Sequence, residues 1–138
     1  NRFGPLMATV GFAFMLGALS ETSNEYVFAI GEILSGLGIA VFVHALLAFP
    51  RGYLETKLVY SIVGTAYFLV LGVQTLYNVF GGERCSGCPD NLLATWDSKN
   101  ARTAVGVFAI LAAGYVLFGT AWVLFRRWRA ASPAACRA

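Results

Sequence analysis

Runs of apolar residues, broken by short polar clusters, divide the chain into four stretches. The first runs from about Phe3 to Leu19 and the second from Tyr26 to Phe49. The third covers Leu58 to about Asn78 and the fourth Thr103 to Phe125. A bilayer takes roughly 20 helical residues to cross, and each run comes close to that or exceeds it, the first being the shortest. The pattern predicts an all-α, polytopic membrane protein with four transmembrane helices in a bundle. Pro50-Arg51-Gly52 follows the second run directly, a proline and glycine break of the kind that stops a helix. There is neither an internal repeat nor a low-complexity tract.

Composition agrees with this pattern. The chain has 138 residues, of which 58% are hydrophobic and 12% charged, whereas soluble domains carry about 25% charged residues. The net charge is +3, and no Lys/Arg run occupies a polar helix face, so nucleic acid is not an expected partner. The expected partner is the lipid bilayer. Charge placement predicts orientation. Arg2, Arg51, Lys57, Arg126, Arg127, Arg129 and Arg137 fall on one side of the spans. The other side holds Arg84, Lys99 and Arg102 against Glu21, Glu25, Glu83, Asp90 and Asp97. The positive-inside rule then puts both termini in the cytoplasm and the loop 79–102 outside the cell membrane. Trp122 and Trp128 flank the inner end of the fourth span as an interfacial aromatic pair would. No secretory signal is visible and the chain starts at Asn1, which reads as a piece of a longer protein. Residues 1–129 are expected to form a transmembrane domain, and 130–138 the cytoplasmic start of a linker.

The spans carry few polar groups, and those few are the candidate sites. In the second span Glu32, Gly36, Ala40 and His44 recur every four residues, two ionisable groups separated by two small residues. Small residues at this spacing admit a neighbouring helix closely, and intramembrane ionisable groups turn toward the bundle interior or water. Glu32 and His44 are twelve residues apart, about 18 Å along the axis, and do not reach each other. A lone histidine does not supply bis-histidine haem ligation. In the third span Tyr60, Gly64, Tyr67, Leu71, Gln74 and Asn78 form one face with polar handles. Buried tyrosine and glutamine need partners, so this face is expected to turn toward other helices, either for interhelical bonding or to line a pocket. Gly106, Ala109, Ala113 and Thr120 make a small-residue face on the fourth span, read as helix packing.

The loop sequence "GGERCSGCPDNLL" holds Cys85 and Cys88 as Cys-x-x-Cys. Zinc takes four ligands as a rule, and the loop adds no histidine and only Asp90 and Asp97, so a metal site within one chain is not expected. Thiols outside the cytoplasm tend to oxidise, and a Cys-x-x-Cys ring is often reducible. A disulfide staple with possible redox sensitivity, a catalytic dithiol, and unpaired or intermolecular thiols all remain open. Cys136 lies on the other side. The segment "DNLLATWD" suggests a short interfacial helix.

Taken in order, "RFGPLMATVGFAFMLGAL", "HALLAFPRGYL", "CSGCPDNLL" and "FRRWRAASPAA" resemble the membrane-embedded sensor region of actinobacterial two-component histidine kinases, those paired with response regulators of the NarL class. That region commonly carries a stretch like "HLLLAFPSGRL". His44, Phe49, Pro50, Gly52 and Leu54 match it, and Arg51 and Tyr53 depart from it. The resemblance implies a homodimeric signal-input region that passes an unknown stimulus through the fourth span to a kinase core lying outside these 138 residues. It also implies a response-regulator partner for that core. ATP and magnesium belong to the core, and no cofactor and no catalytic residue is expected in this chain. His44 lies within a span and is not the phosphoacceptor. Two other classes compete. A membrane thiol-disulfide oxidoreductase linked to quinone would need a second outward cysteine pair. The other is a small transporter or a structural membrane subunit, and a transporter would show broken helices and midplane polar clusters.

Overall fold

The computed structural model describes residues 3–50, 52–81, 93–96 and 98–131. Every regular element among them is helical: α1 Phe3–Gly17, α2 Glu25–Leu34, α3 Leu37–Ala48, α4 Lys57–Tyr67, α5 Gln74–Val79 and α6 Lys99–Ala131. A 3-10 turn, Ala18–Glu21, extends α1, and a π-helical segment, Phe68–Val73, joins α4 to α5. Four helical stretches are long and apolar enough to cross a membrane: Gly4–Glu21, Glu25–Ala48, Lys57–Val79 and Lys99–Ala130. The expected all-helical chain with four spanning-length helices is therefore present. Cys85, Cys88, Asp90, Asp97 and Cys136 lie outside the described residues.

Local chemistry sets the helix ends. The Asn24 side chain accepts from the amides of Tyr26 and Val27 at 3.1 and 3.3 Å, and Glu25 stands in the first turn, where the helix dipole favours an acid. Thr56 caps α4 by accepting from Val59 N–H at 3.3 Å. The structure starts this span at Lys57, one residue before the apolar run. Phe49 leaves the helix with an extended backbone, as a residue before proline must. Gly81, at φ 97°, closes α5 in the left-handed conformation that favours glycine. The residues Leu93–Trp96 do not form the short helix expected there. The Trp96 amide instead donates to the Val79 carbonyl at 3.2 Å, satisfying a group that the end of α5 leaves without a helical partner.

α1 packs chiefly on α3, and α6 packs chiefly on α4 with lesser contact to α3, α5 and the π segment. The larger core joins Ala40, Val43 and Leu47 of α3 to Val59, Ile62, Val63 and Ala66 of α4, and to Val116 and Val123 of α6. A smaller one joins Val10 and Ala13 of α1 to Val41 and Ala45 of α3. Tyr67 packs against both.

Glycines let the second span approach its neighbours. A Cβ on Gly31 would collide with the backbone of Leu19 and Ser20. One on Gly38 would meet the Phe14 ring at 2.7 Å, and one on Gly36 would press on Val70 at 3.1 Å. Small residues allow such backbone approach in membrane helices, but here each serves a different neighbour, not one continuous ridge.

Candidate functional site

Two spans are not regular helices. In the second, Ser35 and Gly36 interrupt the helix. Gly36 has ψ near −7°, the Ser35 hydroxyl turns back onto the Glu32 carbonyl at 2.9 Å, and Ile39 N–H reaches Gly36 O at 3.0 Å. A Ser/Gly pair is an ordinary cause of a kink. In the third span the turn widens between Phe68 and Val73, and the Gln74 amide donates to the carbonyl of Leu69, five residues back. A π turn inserts an extra residue and rotates everything after it relative to an ideal helix.

That rotation explains where the third-span candidates fall. The face expected to run unbroken from Tyr60 to Asn78 is divided. Tyr60 is 60% exposed and Leu71 42%, while Asn78 is 5% exposed. Before the π segment the buried positions are Val59, Ile62, Val63 and Ala66, the apolar face. In a bilayer, an outward-facing tyrosine near a span's end keeps its hydroxyl at the interface. Tyr60 is thus not brought to the other candidates.

Tyr67 and His44 do meet. The histidine Nδ1 and the phenolic oxygen are 3.3 Å apart, and the rings stand edge to face at 88° with centroids 6.1 Å apart. The phenol donates when Nδ1 is bare and accepts when Nδ1 carries the proton. The pair ties α3 to the last residue of α4, immediately before the widened turn. Glu32 is half-buried and lies well away from it along the second span.

Beside the π segment lies a cavity of about 360 Å³, whose lining includes Gly36, Val70, Gln74, Tyr77, Gly106 and Ala109. Ser35 and Ala113 also border it. The small face of α6 therefore does two jobs. Near Thr120, which is 8% exposed, it packs. Near Gly106, where an added Cβ would meet nothing within 4 Å, it leaves open space. The lining is mostly apolar, with amide, phenol and hydroxyl groups from Gln74, Tyr77 and Ser35. Such a cavity can accept an apolar or amphipathic group and orient its polar end. Tyr77 and Ser35 escaped sequence reasoning. Tyr77 follows Gln74 by three residues, the one signal that could have found it.

A second constellation lies at the other end of α6. Arg127 donates to the Phe49 carbonyl at 2.8 Å and approaches the Glu55 carboxylate at 3.8 Å. The loop after α3 is thereby tied to the end of α6. Between the two ends, the Tyr115 hydroxyl donates to the Ser61 oxygen at 3.1 Å. Among the described residues no three His, Cys, Asp or Glu side chains converge as a metal site would require.

Fold and site together define a helical bundle of membrane-spanning length with a cavity against its last helix. Comparison with protein-family models, curated proteins and solved structures found no match to this chain.

Proposed function

We propose that the chain is the membrane-embedded signal-input region of a sensor histidine kinase, acting as a homodimer in the cell membrane. In this reading both termini are cytoplasmic, the loop 79–102 is extracytoplasmic and Cys85 and Cys88 close a staple on it. The kinase core beyond residue 138 uses ATP and magnesium and hands the phosphoryl group to a response regulator. The observation that carries the reading is the cavity, which has α6 as one wall. Its other wall comes from the two irregular turns, Ser35-Gly36 and Phe68–Val73. A stimulus moves an equilibrium only by binding two states unequally. A cavity whose filling changes the fit of the last helix supplies that difference, and α6 is the element that continues toward the cytoplasmic core.

The test is ATP-dependent autophosphorylation of the full-length parent in nanodiscs, with Ala109→Phe placed to fill the cavity. The variant is expected to lock the output, changing the rate by about tenfold, the effect of about 1.4 kcal/mol on a two-state equilibrium. Replacing Cys85 and Cys88 by Ser tests the loop separately. A parent that incorporates no phosphate from ATP sinks the reading.

The interrupted second span favours one other reading, a small transporter, because transporters build substrate sites at helix breaks. Substrate flux into vesicles containing the protein, absent from protein-free vesicles, would establish it instead.

A further inference from the structure

We infer that the groove between the start of α4 and the end of α6 holds the headgroup of an anionic phospholipid. The groove has a volume of about 370 Å³ and is lined by Glu55, Thr56, Val59, Trp122, Arg126 and Arg127, among others. Its depth in the bilayer follows from α6 itself. The charges Arg102 and Arg126 are twenty-four positions apart on one helix, about 36 Å at 1.5 Å per residue. The hydrocarbon layer is about 30 Å thick, so a bilayer centred between them brings Arg126 to the phosphate level. Trp122 stands one turn inward and is 59% exposed, as an interfacial indole is.

The charges in the groove are already sorted. Arg127 is engaged with Phe49 and Glu55, and this pairing turns the one acid of the lining toward a cation. Arg126 is exposed, lines the same groove and has neither a hydrogen bond nor an ion pair among the described residues. Lys57, exposed at the first position of α4, follows the lining residue Thr56 directly and adds a second cation at this end of the bundle. An arginine fork at phosphate depth matches a phosphodiester oxygen pair, while Trp122 and Leu58 offer an apolar wall to the glycerol and upper acyl chain. Arg129 points elsewhere, lying over the Phe125 ring at 5.5 Å. That difference separates a site from a merely basic helix end. The inference does not depend on the signalling reading.

The experiment counts retained lipid by native mass spectrometry, on protein extracted from vesicles of phosphatidylglycerol and phosphatidylcholine in equal parts. A phosphatidylglycerol adduct is expected. Arg126→Gln should lower its retention about fivefold and Lys57→Gln by no more than that, the effect of one cation near an anionic surface. Arg126→Lys keeps the charge but loses the bidentate fork, and its retention should fall between those of the parent and Arg126→Gln. Arg129→Gln should retain the adduct in full, and so should the parent in excess inorganic phosphate. Equal retention of both lipids overturns the inference. Equal losses in Arg126→Gln and Arg129→Gln also overturn it, since they signify diffuse charge attraction. Displacement by inorganic phosphate overturns it in favour of a free-anion site.

Discussion

Gly106 and Gly119 stand thirteen positions apart on α6 and do opposite work. At Gly119 the helix lies so close to α4 that an added Cβ would meet the Ile62 Cδ1 at 2.8 Å. Ile62 is fully buried, so any shift of its side chain has to be absorbed inside the core. At Gly106 the same addition would enter open space beside the cavity. One end of α6 is therefore locked to the bundle, and nearer its end Arg127 adds a tie to Phe49 and Glu55. The other end stands off from a wall built of irregular turns. Small residues in a membrane helix are usually taken as packing surfaces. In this helix the same residue type also makes room, and only the neighbour decides which.

The largest test of this contrast is Gly119→Val. A branched side chain forced against Ile62 overpacks a closed contact, and a loss of about 2–3 kcal/mol is expected in detergent unfolding followed by helical circular dichroism. A loss below about 0.5 kcal/mol would mean that α6 swings freely from α4 and that the contrast is unreal. Arg127→Gln should follow. A charged donor to a terminal carbonyl and a partly exposed ion pair are together worth about 1 kcal/mol. The variant should also raise the hydrogen exchange of residues 49–56 above that of α1. Smaller still and opposite in sign is Gly106→Ala. With nothing to strike, it removes glycine's backbone freedom and should stabilise by about 0.5–1 kcal/mol. Destabilisation there would mean that the cavity closes onto α6 in solution.

How far these features were legible in the sequence differs by feature. The four spans were, because length and apolarity alone set them. The break at Ser35-Gly36 carried a signal in its Ser/Gly pair, although the four-residue spacing of Glu32, Gly36, Ala40 and His44 argued for one slowly turning ridge on an unbroken helix. The π segment carried none. Phe68–Val73 reads as ordinary helix, since an extra residue in a turn changes hydrogen bonding and not composition. That unseen rotation is why the face drawn from Tyr60 through Gln74 to Asn78 divides. Arg127 entered the sequence reading only as one of the charges expected to set orientation, and its partner is the Phe49 carbonyl, a backbone group with no sequence signature. His44 and Tyr67 were each singled out, on separate helices. Their meeting depends on how α3 and α4 cross, which neither periodicity encodes.

That meeting gives the smallest and most specific test, because it ties α3 to the third span where the regular half of that span meets the irregular half. Tyr67 belongs to both hydrophobic clusters, so a loss of stability in Tyr67→Phe mixes packing with the lost hydroxyl. A double-mutant cycle of Tyr67→Phe with His44→Leu isolates the pair. Interhelical hydrogen bonds within membranes average about 0.6 kcal/mol in such cycles. The 3.3 Å separation is long for a bond to a phenolic oxygen, which places the expected coupling at or below that average, about 0.3–0.6 kcal/mol. Zero coupling would make the contact a packing coincidence beside the π turn. Coupling well above 1 kcal/mol would require a shorter bond in the bilayer than the structure holds, and would make the pair a principal tie across the bundle. Performed again in the Ala109→Phe background, the same cycle asks whether filling the cavity reaches the pair. The π turn that lines the cavity starts at the residue after Tyr67, and an unchanged coupling would show that the cavity's influence stops short of the pair.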